Sequence, residues 1–279
     1  MLVFEWGDCL ENETREFISL LFESYKSRKK RNILYRNEDN VPKIIISEYM
    51  KLVEKPAFKD LITSYKKRYI FCESRVETNI SKEEQAGLGS IYDFINDFDF
   101  DKNDFNVFIT SMIMHHKLYS HCGDGSFGGK LRDSSAFLQD LNIEILPPYE
   151  ACKVFNNYIG KKDYIFDKYN KGDIFGYIED CVKLSADLIK LQPFSDGNKR
   201  TFRALLNLLF KRLNIPPVYI EIEERQEYKK ALIKAMKAKS DDDYKDLIQF
   251  YHYKICDSII TLDIHNSELT NMDTYEKKI

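Results

Sequence analysis

The chain has no excess of charge of one sign: 42 basic and 45 acidic residues leave a formal net charge of −3. That balance argues against a polybasic nucleic-acid binder, and an apolar content of 43% argues against a disordered chain. No run approaches the roughly 20 apolar residues that cross a bilayer, so no membrane span is expected. The N-terminus, Met1 to Trp6, lacks a basic stretch followed by an apolar one, so a standard secretion signal is not expected either. Six cysteines at 9, 72, 122, 152, 181 and 256 form no CxxC pair and no zinc-finger spacing with the histidines. They read as free thiols in a reducing, cytoplasmic compartment. No disulfide or metal framework is required, because 279 residues can bury a core unaided.

Glycine and proline are scarce, 11 and 7 in all, so their clusters punctuate the chain. The first cluster runs from Cys122 through Gly123, Gly125, Gly128 and Gly129 and is closed by Pro147-Pro148. With the alternation Asn142-Ile143-Glu144-Ile145, it reads as a loop and a small β-hairpin. The second, Pro193-Phe194-Ser195-Asp196-Gly197-Asn198, lies between two segments of helical period. Before it, Ile178, Cys181, Val182, Ser185, Leu188 and Ile189 recur at three- and four-residue steps over Tyr177 to Leu191; after it, Phe202, Leu205, Leu206, Leu209 and Leu213 do the same over Thr201 to Leu213. Helix, loop, helix follows, both apolar stripes being core. Further helices are expected at Glu13–Lys26, Ile45–Lys51, Glu83–Phe98, Phe105–Leu118, Pro148–Ile159, Glu224–Ala238 and Tyr244–Ile260, with a polar tail from Thr261. The basic run Lys26 to Arg31 suits a solvated helix end.

The second loop concentrates the chemistry. A glycine-containing turn feeds a helix N-terminus, whose free N–H groups and positive dipole end suit anionic oxygens. Arg200 lies beside that position and Arg203 follows one turn later, so both guanidinium groups can reach a chain of phosphates. Asp196 offers a hard oxygen to magnesium, which takes one or two carboxylates and leaves the rest of its shell to phosphate and water. An ordinary capped helix with exposed arginines would carry the same residues.

Gln192 to Arg203 resembles the Fic (Fido) family signature His-x-Phe-x-Asp/Glu-Gly-Asn-Gly-Arg-x-x-Arg, with Phe194, Asp196, Gly197, Asn198, Arg200 and Arg203 in register. Gly128 to Pro148 resembles the family's flap hairpin, and Ser74-Arg75-Val76-Glu77-Thr78-Asn79 is similar to its inhibitory helix. The resemblance implies a mainly α fold: a Fic-type helical bundle with a small β-hairpin flap. It implies an N-terminal helical region at 1–71, a Fic core with its preceding inhibitory-like helix at 72–256, and a C-terminal tail at 257–279. It also implies AMP transfer from ATP, or another nucleotide, with Mg2+, to a hydroxyl of a target protein held along the flap.

In that scheme Asp196 holds the metal on the α- and β-phosphates, and Gly197, Asn198 and Lys199 line the anion-binding turn. Arg200 contacts the β-phosphate and Arg203 the γ-phosphate, while Phe194 anchors the loop. Glu77 reaches Arg203 in place of the γ-phosphate, making the chain autoinhibited.

Three features depart from the family pattern. Gln192 stands where the family has its histidine base, and a carboxamide cannot take a proton near neutral pH, so weak activity is expected. His115, His116 and His121 precede the flap but read as structural or exposed rather than as substitute bases. Asn198-Lys199-Arg200 resembles the Doc branch, which is associated with phosphoryl transfer, yet Gly197 and Arg203 favour the adenylylating branch. In the inhibitory segment, Glu73 stands where Ser or Thr is expected and Thr78 replaces Gly or Asn. A nucleotide-binding pseudoenzyme acting as a regulatory module remains the alternative outside catalysis.

Overall fold

The computed structural model describes residues 41–52, 63–77, 80–123, 127–136, 138, 143–160 and 162–259. The helix expected at Glu13–Lys26, the basic run and the tail from Thr261 lie outside the described residues. Within them run α1 (Val41–Leu52), α2 (Thr63–Val76), α3 (Lys82–Asp97), α4 (Val107–Tyr119), α5 (Pro148–Asn156), α6 (Lys162–Asn170), α7 (Ile174–Leu191), α8 (Asn198–Lys211), α9 (Arg225–Met236) and α10 over residues 245–259. Pro148–Ile159 is thus shorter than expected, giving way to a 3-10 turn at Asn157–Gly160; neither α6 nor α2 before residue 74 is anticipated from the sequence pattern. No strand occurs among the described residues. Of the expected hairpin, residues 137 and 139–142 lie outside them, and the rest of 130–146 runs as irregular chain.

Local chemistry sets the ends of these helices. Ser81 caps α3 by accepting from the Glu84 N–H at 3.1 Å, while the Glu84 carboxylate returns to the Ser81 N–H at 3.0 Å. Asn106 caps α4 through the Ile109 N–H, and Asp173 caps α7 through the Gly176 N–H. At the far end of α3, the Lys211 ammonium donates to the carbonyls of Ile95, Asn96 and Phe98, placing a cation where the helix dipole is negative.

The central element is α8. Its stripe predicts one apolar face, but every residue from Arg200 to Phe210 is buried, with α3, α4 and α7 packed around it. The polar side chains so enclosed find partners: Asn207 donates to the Val218 carbonyl and accepts its N–H, at 2.9 and 2.8 Å. Two bonds tie α7 to α8, Ser185 to the Phe202 carbonyl and Tyr177 to the Leu209 carbonyl. Gly87 lets α3 and α4 approach closely, because a Cβ there would lie 1.9 Å from the Leu118 carbonyl oxygen. Outside this centre, α10 meets α1 through the Cys256 thiol and the Pro42 carbonyl. The five described cysteines, Cys72, Cys122, Cys152, Cys181 and Cys256, are free. No described helix is long and apolar enough to cross a membrane.

Candidate nucleotide-binding loop

The loop begins where α7 ends. Gln192 takes the left-handed conformation with φ 49°, uncommon for a residue with a side chain. Its carboxamide is engaged at both ends, donating to the Ile189 carbonyl and accepting from Asn198 Nδ2 at 3.0 Å. Asn198 also accepts the Phe194 N–H at 2.9 Å and donates to the Phe194 carbonyl at 2.8 Å, so one buried side chain cross-ties the turn. What Asn198 can offer an anion is its backbone N–H. Gly197, with φ 72°, starts α8; a Cβ there would meet Leu118 and the Tyr119 hydroxyl at 2.9 Å. No side chain caps this N-terminus.

Phe194 is fully buried. Its ring stacks on His115 with centroids 3.9 Å apart and 5° between planes, and it meets Phe155 edge-on. The other contacts of His115 fix its tautomer. Nδ1 accepts from the Gly129 N–H at 2.9 Å, so the ring proton is on Nε2 and donates to the Asp196 carbonyl at 3.0 Å. Burial outweighs the pull of Asp196 and lowers the pKa of this histidine to about 4. Both nitrogens being occupied, His115 is a strut between α4 and the loop. His121 shares a hydrogen bond with Ser90.

Around the loop the charges are paired. Asp196 is 72% exposed at its side chain, and its Oδ2 accepts from the Tyr119 hydroxyl at 2.9 Å and from Arg200 Nη2 at 3.2 Å. Arg200, itself buried, also pairs with Glu84 and donates to Tyr119. Arg203 is 3% exposed and held by two carboxylates: Nε donates to Glu73 at 2.8 Å and Nη1 to Glu77 at 3.0 Å. Its Nη2 is buried without a hydrogen-bond partner. The other oxygen of Glu77 reaches Lys199 Nζ at 3.4 Å. Burial opposes the charge of Glu77, but Arg203 and Lys199 outweigh it and bring the carboxyl down to about 2. Burial likewise opposes the charge of Arg203, and Glu73, Tyr228 and Glu77 hold its pKa well above the ordinary value.

The structure therefore gathers Gln192, Asp196, Gly197, Asn198, Lys199, Arg200, Arg203 and Glu77 in one neighbourhood. Three participants are not evident from the sequence. Glu84 is legible only as half of a capping box, Tyr119 only as a core aromatic, and Glu73 only as a mismatch in the inhibitory segment; each becomes a partner of an arginine through helix packing. The donor set also bears on a metal. Among the described residues no cluster of three His, Cys, Asp or Glu side chains could cage one. A single exposed carboxylate, Asp196, paired with Arg200, suits instead an ion carried in on phosphate oxygens and completed by water.

Residues 110–210 match the sequence model of the Fic/DOC family, so that span of the chain is similar to the family's domain. The chain is 28% identical over 145 residues to the protein adenylyltransferase Fic of Aedes aegypti, a match covering 52% of this chain and 28% of that protein. With the protein adenylyltransferase fic-1 of Caenorhabditis elegans it shares 32% identity over 99 residues, 29% of this chain and 19% of the relative. The chain thus spans under a third of the length of these relatives. Among solved structures, Fic-1 of C. elegans (residues 134–508) superposes with a TM-score of 0.60 at 18% identity, covering 92% of this chain and 78% of that one. A Fic domain containing signaling protein from Bacteroides thetaiotaomicron gives 0.59 at 13% identity, covering 90% and 98%. These likenesses establish the fold.

Proposed function

We propose that this protein binds a nucleoside triphosphate, ATP in the first instance, across the Asp196 to Arg203 loop and transfers AMP to a hydroxyl of a target protein. The observation that carries this is the uncapped N-terminus of α8 with Arg200 and Arg203 on its first turns and the exposed Asp196 carboxylate at its mouth. The relatives named protein adenylyltransferases support the choice of group. Asp196 would hold Mg2+, which neutralises phosphate charge and eases departure of pyrophosphate. Gly197, Asn198 and Lys199 offer the turn to phosphate oxygens, Arg200 takes the β-phosphate and Arg203 the γ-phosphate. The target's hydroxyl oxygen bonds to the α-phosphorus as the α–β bridging P–O bond breaks. The hydroxyl proton leaves to water, because Gln192 has no basic nitrogen to receive it. Losing such a base slows transfer by about 10² to 10⁴.

Glu77 is the brake in this proposal. It occupies Arg203 and Lys199 together, and Glu73 also occupies Arg203, so a triphosphate must displace carboxylates before its γ-phosphate is bound. The target is proposed to lie along the 128–148 segment, held by main-chain hydrogen bonds that place a hydroxyl without demanding much sequence.

A second reading is favoured by a specific observation. Gln192 is tied into the loop at both ends of its carboxamide, and each of Lys199, Arg200 and Arg203 has a carboxylate partner, as suits a module that binds nucleotide without turning it over. Incubation with ATP labelled at either the α- or the γ-phosphate separates the possibilities. Protein-bound α-label without γ-label supports adenylyl transfer. Bound γ-label alone replaces it with Doc-like phosphoryl transfer, and saturable ATP binding with neither label supports the module.

A further inference from the structure

Arg132 lies outside the signature loop, at the start of the segment that leads to Pro147. It is 3% exposed, and the acceptors of its guanidinium are backbone carbonyls at three separate places. Nε donates to Gln192, Nη1 to Ser134 at 2.9 Å and Nη2 to Leu146 at 2.6 Å. Its own N–H donates to the Pro193 carbonyl at 2.9 Å. One residue therefore joins both ends of the 134–146 segment to the first two residues of the loop. Burial disfavours the charge and lowers the pKa of the guanidinium, while the Gln192 carbonyl at the C-terminal end of α7 offers it the negative end of the helix dipole. The planar fork also matters: five N–H donors fixed in one plane reach acceptors on three sides, whereas a lysine ammonium presents its donors from a single point. The Cys152 thiol, 3.8 Å from the Arg132 carbonyl, adds a link to α5.

We propose that Arg132 is a positioning residue that sets where residues 133–136 and 143–146 lie relative to Gln192 and the nucleotide loop. It acts through the Gln192, Ser134 and Leu146 carbonyls and touches neither phosphate nor hydroxyl. Its bearing on transfer rests on the adenylylation reading, because a target laid on that segment is registered against the loop only while both ends are held; the tether itself does not rest on it.

Hydrogen–deuterium exchange on the full chain, comparing wild type, Arg132→Ala and Arg132→Lys, tests the tether without calling on activity. Amides of 129–136 and 143–146 are expected to exchange at least about tenfold faster in Arg132→Ala, while those within α7 and α8 keep their rates, with Arg132→Lys intermediate. Calorimetric Kd for Mg-ATP should stay within about twofold of wild type, since the phosphate-facing residues are untouched. Unchanged exchange at 129–136 and 143–146 overturns the proposal, and so does uniform acceleration along the chain, which marks an ordinary buried residue. Should Arg132→Ala not fold, the same two outcomes are read from Arg132→Lys. If wild type binds no Mg-ATP, the adenylylation reading fails while the exchange comparison still decides the tether.

Discussion

Glu73 accepts a hydrogen bond from Arg203 Nε at 2.8 Å, with the two side chains 2% and 3% exposed. A buried pair of this kind is expensive to break from one side, because the remaining charge is left unpaired away from water. Arg203 is therefore both the centre of the proposed γ-phosphate site and part of the support for α2. Glu73→Gln is expected to lower unfolding free energy by about 3 kcal/mol, measured by urea titration. Glu77→Gly should tighten Mg-ATP binding by itself, and Glu73→Gln with Glu77→Gly should tighten it further. Equal calorimetric affinities in wild type and both variants would remove the carboxylates as competitors of phosphate.

Asp196 gives the cleaner probe of the metal, because its side chain is largely in water. Asp196→Asn should weaken ATP binding by about tenfold in the presence of Mg2+ and little in its absence, with the melting temperature unchanged. Arg203→Ala will not behave so simply, since it leaves Glu73 buried without its partner. A loss of affinity there must be read beside its stability.

Restoring a titratable base should show in the rate. Gln192→His is expected to raise α-label transfer, to target or to the chain itself, by about 10²-fold or more. Background transfer with several nucleotide donors would count against the missing-base account.

Stability should fall on acidification before the carboxylates titrate. His115 and His252 are each brought by burial to about 4, below the ordinary 6.5. The unfolded chain then binds these protons more readily than the folded one, so the stabilisation is complete above about pH 6.5 and is lost as pH falls toward 4. Glu77, lowered from 4.5 to about 2, adds its own loss only below about pH 4.5. Urea titrations at pH 7, 5.5 and 4.5 should show a steady decline in wild type and a shallower one in His115→Asn. At pH 5.5, nitrogen NMR of His115 should report a neutral ring protonated on Nε2; a doubly protonated ring at that pH would contradict the strut.

The sequence by itself determined the parts whose physics is local. The apolar steps from Ile178 to Ile189 and from Phe202 to Leu209 specify two helices, and the glycine at 197 specifies a left-handed turn between them. That is because helical period, capping and left-handed glycine act within a few residues. Tertiary structure alone decided what Arg200 and Arg203 face. Arg200 meets Glu84 across a sequence separation of 116 residues, and Arg203 meets Glu73 across 130. The tautomer of His115 and the reach of Arg132 to three carbonyls arise in the same way. No periodicity records such pairs, because they depend on how α2, α3 and α4 pack against α8, and a shift of one helix by a single turn, about 5.4 Å, would exchange every partner.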